Sequence, residues 1–216
     1  MTPPHELLRQ LRLALQADDL STALDCLRAL IAQAEAREDW SAAARHLGNL
    51  ALLHYRTGQP EQAIWAFEHG LERARQAQDP HTENGLLGNL GNVLREVKRY
   101  DEALKALNGA LLLAQMLGDA RGRGLWLSNL GLLYDELGQH ALAYDMHQQA
   151  LKIAEQLHDL PQQAARTYHL ALCALALGQS EAAQLMRSAA QLYSQLGHQQ
   201  QAQKIRRQAR RLTYDE

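Results

Sequence analysis

Three asparagines recur at one fixed interval, Asn49, Asn89 and Asn129, each followed by leucine (Leu50, Leu90, Leu130). A carboxamide carries two donors and an acceptor. A ladder of them can pair with the N–H and C=O of an extended peptide without reading its side chains. Steps of i, i+4, i+7 and i+11 gather one helical stripe around each asparagine. The stripes are Arg45, Asn49, Leu52 and Arg56; then Gly85, Asn89, Asn92 and Glu96; then Leu125, Asn129, Leu132 and Glu136. A fourth, with histidine in the asparagine position, is Ala165, His169, Leu172 and Ala176, and a degenerate first unit offers Arg9, Arg12 and Gln16. Arginine favours carboxylates through paired N–H donors. The stripe is thus basic at its N-terminal end, amide-rich in the middle and apolar at Leu125, Leu132 and Leu172. It suits a segment with an acidic portion at one end and apolar side chains at the other. The candidate partner-binding residues are Arg45, Asn49, Leu52, Arg56, Asn89, Asn92, Leu125, Asn129, Leu132, His169 and Leu172. The competing explanation is ordinary charge scatter, with asparagines bonded to neighbouring helices or to water.

Other reactive residue types form no comparable pattern. Gly85, Gly88 and Gly91 follow no strand and lack the dinucleotide-binding spacing, so helix packing explains them better. None of the ten histidines pairs with another at i+3 or i+4, so no local helical metal site is visible and no metal or cofactor is expected. Nothing suggests a catalytic triad. Cys26 and Cys173 fall in opposite terminal units, which argues against a disulfide within the chain and for buried, free thiols. Lys204, Arg206, Arg207, Arg210 and Arg211 make a basic C-terminal stretch that reads first as a solvated capping face. Trp65 falls at an outward position, open as a second contact surface or a dimer contact, while Trp40 and Trp126 read as packing residues.

The elements that must position these residues follow from the same period. Alanine recurs at 23, 63, 103, 143 and 183, and aspartate at 39, 79, 119 and 159. A fixed interval of this length marks a stacked array in which each unit buries its apolar face against its neighbours. Each unit reads as two helices. In the third, Leu86, Leu87, Leu90 and Leu94 give a helix over 82–97, and Leu104, Leu107, Leu111 and Ala114 a second over 101–117. Gly58, Gly138 and Gly178 suit helix C-termini, with Lys98 in the equivalent place. The aspartates, with Ser21, Asp101 and Ser180, suit N-caps. All five prolines lie near helix starts. Gly91 and Gly131, and the alanine column, permit close helix approach. The array divides into repeats over 5–38, 40–78, 80–118, 120–158 and 160–197, with a capping helix over 199–213 carrying Ala202, Ile205, Ala209 and Leu212 as its apolar stripe.

The run Asn89-Leu90-Gly91-Asn92, Tyr100-Asp101-Glu102-Ala103 and Ala110-Leu111, echoed in the other units, resembles the tetratricopeptide repeat family. The 40-residue length, with Leu117-Gly118-Asp119 before the next unit, looks like its long-helix subclass. Lys98 for glycine, Gln10 for leucine and Thr167 for leucine depart from the pattern. The resemblance implies an all-α solenoid: a single right-handed superhelix of five helical hairpins plus a cap, binding a peptide or protein segment in its concave groove without catalysis. The lysine-rich carboxylate clamp of chaperone-tail-binding members is absent.

Composition sets the remaining bounds. Aromatics are 5% of the chain and alanine, leucine, glutamine, glutamate and arginine dominate, as helices prefer. A net charge of −2 argues against nucleic acid as a partner. No run of 18 apolar residues argues for a membrane span, and the N-terminus lacks a signal-peptide pattern, so a cytoplasmic protein is expected. The leading expectation is a non-enzymatic adaptor for a protein or peptide partner, with nothing to support a homo-oligomer beyond Trp65. The alternative is a regulatory sensor that responds to a small ligand or signalling peptide; the lack of an attached effector domain favours the adaptor.

Overall fold

The computed structural model describes residues 2–212, and these form eleven α-helices with no strand among them. In order they are α1 (Pro4–Gln16), α2 (Leu20–Glu35), α3 (Trp40–Arg56), α4 (Pro60–Gln76), α5 (Pro80–Glu96), α6 (Tyr100–Met116), α7 (Ala120–Glu136), α8 (His140–Gln156), α9 (Leu160–Ala176), α10 (Ala182–Gln195) and α11 (Gln199–Leu212). The helices follow one another as five hairpins and a last helix, α11; Thr213, the last residue of the expected cap, lies outside the described residues. Two compact units result, Met1–Leu113 and Ala114–Glu216, parting in the last turn of α6.

The turns explain the regularity. After α3, Thr57 is the C-cap and Gly58 takes φ 71°. The Gly58 N–H donates to the Tyr55 carbonyl and the Gln59 N–H to the His54 carbonyl (2.9 Å). These two bonds make a Schellman motif, which satisfies carbonyls that a helix end leaves unpaired. Gln59 is also the N-cap of α4, its carbonyl accepting from Ala63. One residue closes a helix and the next opens another, so Thr57, Gly58 and Gln59 suffice for the turn. Lys98 adopts φ 63° and makes the same pair of bonds through Lys98 and Arg99, without glycine.

Aspartates open the helices where expected. Asp39, Asp79, Asp119 and Asp159 each accept the N–H of the residue three further on (Ala42, Thr82, Gly122, Gln162). Three expected caps are corrected. Asp19, not Ser21, caps α2; Asp101 lies inside the first turn of α6; and α10 begins after Glu181, beyond Ser180, with no side-chain cap. At α2 and α6 so short a turn leaves no room for a cap so late. The prolines behave as expected: Pro4, Pro60 and Pro80 are first residues, Pro161 is second in α9, and Pro3 precedes α1.

From α1 to α5 and from α7 to α11, each helix packs on the next in sequence, as in a solenoid. Ala23, Ala63, Ala103, Ala143 and Ala183 are all buried, as are Leu50, Leu90 and Leu130. A Cβ on Gly91 would lie 2.6 Å from Leu107 Cγ, and one on Gly131 2.5 Å from His147 Cε1. In these two places only glycine admits the side chain beneath it. At the C-terminus, Ala202, Ile205 and Ala209 of α11 are buried, with Leu212 packed beside them.

Candidate functional site

The stripe predicted on α3 is present and open. Arg45, Asn49, Leu52 and Arg56 are all exposed, on the side opposite the buried Leu47, Leu50 and Ala51. Arg45 donates to Ser41 Oγ (2.6 Å) and lies 3.9 Å from the Asp79 carboxylate, to which Ser41 also donates (2.6 Å). Burial works against the Asp79 charge, but the bonds from Ser41 and Thr82, with Arg45 nearby, hold its carboxyl below the usual range. Arg56 reaches Asp18 at 3.3 Å. Exposed pairs of this kind contribute about 0–1 kcal/mol, so either guanidinium can exchange its partner for another carboxylate. Beside them, Leu11, Leu15, Leu27, Asn49, Leu52, Leu53 and Arg56 line a cleft of about 320 Å³. A second hollow of about 470 Å³ continues along Leu8, Leu11, Arg12, Leu15 and Gln16. On α5, Asn89 and Asn92 are half-buried, and Glu96 accepts a hydrogen bond from the Tyr55 hydroxyl.

This arrangement corrects the expected gradient. The N-terminal end is not merely basic: Leu8, Leu15 and Leu52 are each more than 40% exposed there, beside Arg12 and Arg56. A helical stripe cannot show this, because the apolar ground comes from two helices of different hairpins.

In the second unit the same column sinks. Leu125 is exposed and Leu132 half-buried, but Asn129 is only 7% exposed, and its Nδ2 has no hydrogen-bond partner. Residues 126–131 of α7 are all buried, a wider arc than on α3. His169 is half-buried and stacks on His147 with ring centroids 5.0 Å apart. Burial, then the adjacent His147 and Arg166, push its pKa down to about 4, so it is neutral near pH 7. Leu172 packs against the Ala171, Met186 and Ile205 cluster and serves the C-terminal core.

One group escaped sequence reasoning. Asp135, His147 and Cys173, from α7, α8 and α9, bring one ligand atom each within 4.8 Å of one another. They sit on three successive helices, too widely separated in sequence for any local motif. The usable signal was the repeat frame: His147 stands where Leu27, Phe67 and Leu107 stand, and Cys173 where Leu13, Leu53, Val93 and Leu133 stand. Both cysteines are buried and free, as expected. Trp65 is 54% exposed and borders a separate hollow of about 620 Å³ with Ile31, Glu35, Leu47 and His54. Trp126 is buried, and Trp40 carries the Arg73 guanidinium over its ring.

Residues 82–156 match the family model for the tetratricopeptide repeat. That stretch, about a third of the chain, carries the tetratricopeptide repeat. No curated protein matches the sequence. Solved structures do. One is a putative kinesin light chain with nearly identical tetratricopeptide-like repeats from Podosopora anserina (19% identity, 91% of this chain and 99% of that one, TM-score 0.73). Another is a Rap protein complexed with competence and sporulation factor (16%, 95% and 73%, TM-score 0.62). A third is a signal transduction ATPase with numerous domains and a tetratricopeptide repeat sensor, from Pyrococcus horikoshii (19%, 94% and 31%, TM-score 0.79). At these identities the likeness establishes the fold. Among the described residues, no helix is long and apolar enough to cross a membrane.

Proposed function

We propose that this chain is a non-enzymatic protein–protein interaction module, of the 40-residue long-helix kind, acting in the cytoplasm. An extended segment of a partner lies along the exposed face of α1, α3 and α5. The observation that carries this reading is the cleft in which Asn49 and Arg56 stand at the lip of a leucine floor. An apolar side chain enters between Leu11, Leu15 and Leu52, the segment's backbone pairs with the amides of Asn49, Asn89 and Asn92, and its carboxylates take Arg45 and Arg56 from Asp79 and Asp18. The likeness to a Rap protein solved in complex with competence and sporulation factor supports a binding role for this fold. In the second unit, Leu125 and Leu132 offer a smaller contact of their own, while Asn129, His169 and Leu172 are less accessible. A second reading, a ligand-responsive sensor, draws on the likeness to the Pyrococcus horikoshii sensor.

The test is affinity for the partner recovered with the wild-type chain from native lysate. Each lost amide bond costs about 1 kcal/mol, so Asn49→Ala with Asn89→Ala should weaken binding roughly ten- to a hundredfold while circular dichroism stays helical. Arg45→Glu with Arg56→Glu should weaken it too, and less so at high salt. A folded double asparagine variant that binds like wild type sinks the proposal.

A further inference from the structure

His147 is fully buried, and neither of its ring nitrogens makes a hydrogen bond. An unsatisfied buried polar group is costly, and the same repeat position is apolar in three other units (Leu27, Phe67, Leu107). The imidazole is aimed at a carboxylate: Nε2 lies 3.5 Å from Asp135 Oδ2. The Cys173 thiol, itself in an apolar column and fully buried, donates to the same carboxylate at 3.3 and 3.5 Å. His140 Nδ1 approaches Asp135 Oδ1 at 3.1 Å. Two core positions have become polar together, around one acid.

We propose that Asp135, His147 and Cys173 bind one divalent transition-metal ion of the zinc class. Zinc takes imidazole nitrogen, thiolate sulfur and carboxylate oxygen in tetrahedral sites, with bonds of about 2.0–2.3 Å. Such bonds put neighbouring ligand atoms roughly 3.3–3.8 Å apart, which is the separation of Asp135 Oδ2 from His147 Nε2 and from Cys173 Sγ. The mixed set excludes calcium and magnesium, which take oxygen ligands. His140 holds the other oxygen of Asp135 and so orients it, as an outer-shell partner does. Asp135 and His140 are the partly exposed members, giving the ion its entry and leaving a fourth position for water. On binding, a sulfur–metal bond replaces the S–H bond of Cys173, and the proton leaves to solvent. Gly131 takes part by lacking a Cβ, since its space holds the His147 ring.

Cobalt(II) added to chelator-treated, purified full-length chain tests this. One equivalent should give a thiolate-to-cobalt charge-transfer band and the visible bands of tetrahedral cobalt, and zinc should displace both. Cys173→Ala and Asp135→Asn should lose the bands and Cys26→Ala should keep them, all remaining helical. His147→Leu restores the column's apolar residue and so should fold, with zinc affinity down at least a hundredfold in competition with a chromophoric chelator. No band, a band that survives Cys173→Ala, or equal loss in Cys26→Ala overturns the site.

Discussion

The positions of Asp135, His147 and Cys173 occur two repeats earlier as Tyr55, Phe67 and Val93. Phe67 and Val93 are buried in the first unit as His147 and Cys173 are in the second. One unit fills the place with an apolar plug, the other with an imidazole, a thiol and a carboxylate. The helices around both are of equal length and begin two repeats apart. The backbone of a repeat therefore tolerates a change from packing to polar chemistry at a core position. The condition is that partners change with it: Asp135 faces both His147 and Cys173.

The largest expected effect comes from making that change without partners. Phe67→His puts an imidazole among apolar neighbours, adding a desolvation penalty to lost packing. It should cost about 3–5 kcal/mol, read as a lower urea midpoint. A loss below about 1 kcal/mol would mean that the first unit accommodates the polar group equally well, and the contrast would fail. The reverse change is smaller. With metal removed by chelator, His147→Leu should stabilise the chain by about 1–2 kcal/mol, since it removes buried ring nitrogens that make no hydrogen bond; with zinc added, wild type should overtake it. The smallest effect sharpens the other side of the comparison, the cap that begins α5. The folded pKa of Asp79 is depressed, so its charge stabilises the fold above the ordinary carboxylate value and that contribution is lost as pH falls below about 4. Asp79→Asn should lower the stability slightly at pH 6, by under about 1 kcal/mol because solvent screens the partly open group, read as a small fall in melting temperature. The gap should narrow by pH 3; an equal gap at both values would place the effect in hydrogen bonding alone.

Periodicity made the fold legible. The hairpins, the buried alanine column and the aspartate caps all follow from the repeat step, whereas three helix starts do not: Ser21 and Asp101 lie inside the first turn, and Ser180 lies before a helix that begins later. The site was legible in part. Helical spacing finds Arg45, Asn49, Leu52 and Arg56, because all four lie on one helix. Depth is another matter: Asn49 is exposed and Asn129 buried, although each occupies the same column. Burial depends on neighbouring helices, as at 126–131 of α7. The three-helix cluster was hidden for the same reason, except to a column-by-column comparison, where histidine and cysteine stand out among leucine, phenylalanine and valine.

A left-handed residue closes each helix in turn, at Asp18, Glu38, Gly58, Gln78, Lys98, Gly118, Gly138, His158 and Gly178, with Gly197 one place early. Glycine enters that conformation freely, whereas a residue with a Cβ is held there against a torsional preference of about 1–2 kcal/mol. Four of the five non-glycine residues, Asp18, Glu38, Gln78 and Lys98, belong to the first unit. The half of the chain that carries the leucine cleft is therefore spring-loaded at four of its turns, and the half that carries the imidazole cluster at one, His158. Each loaded turn is a separate adjusting screw, set apart from Asn49, Leu52 and Arg56, by which the first unit can be stiffened or slackened while its proposed binding face keeps the same side chains.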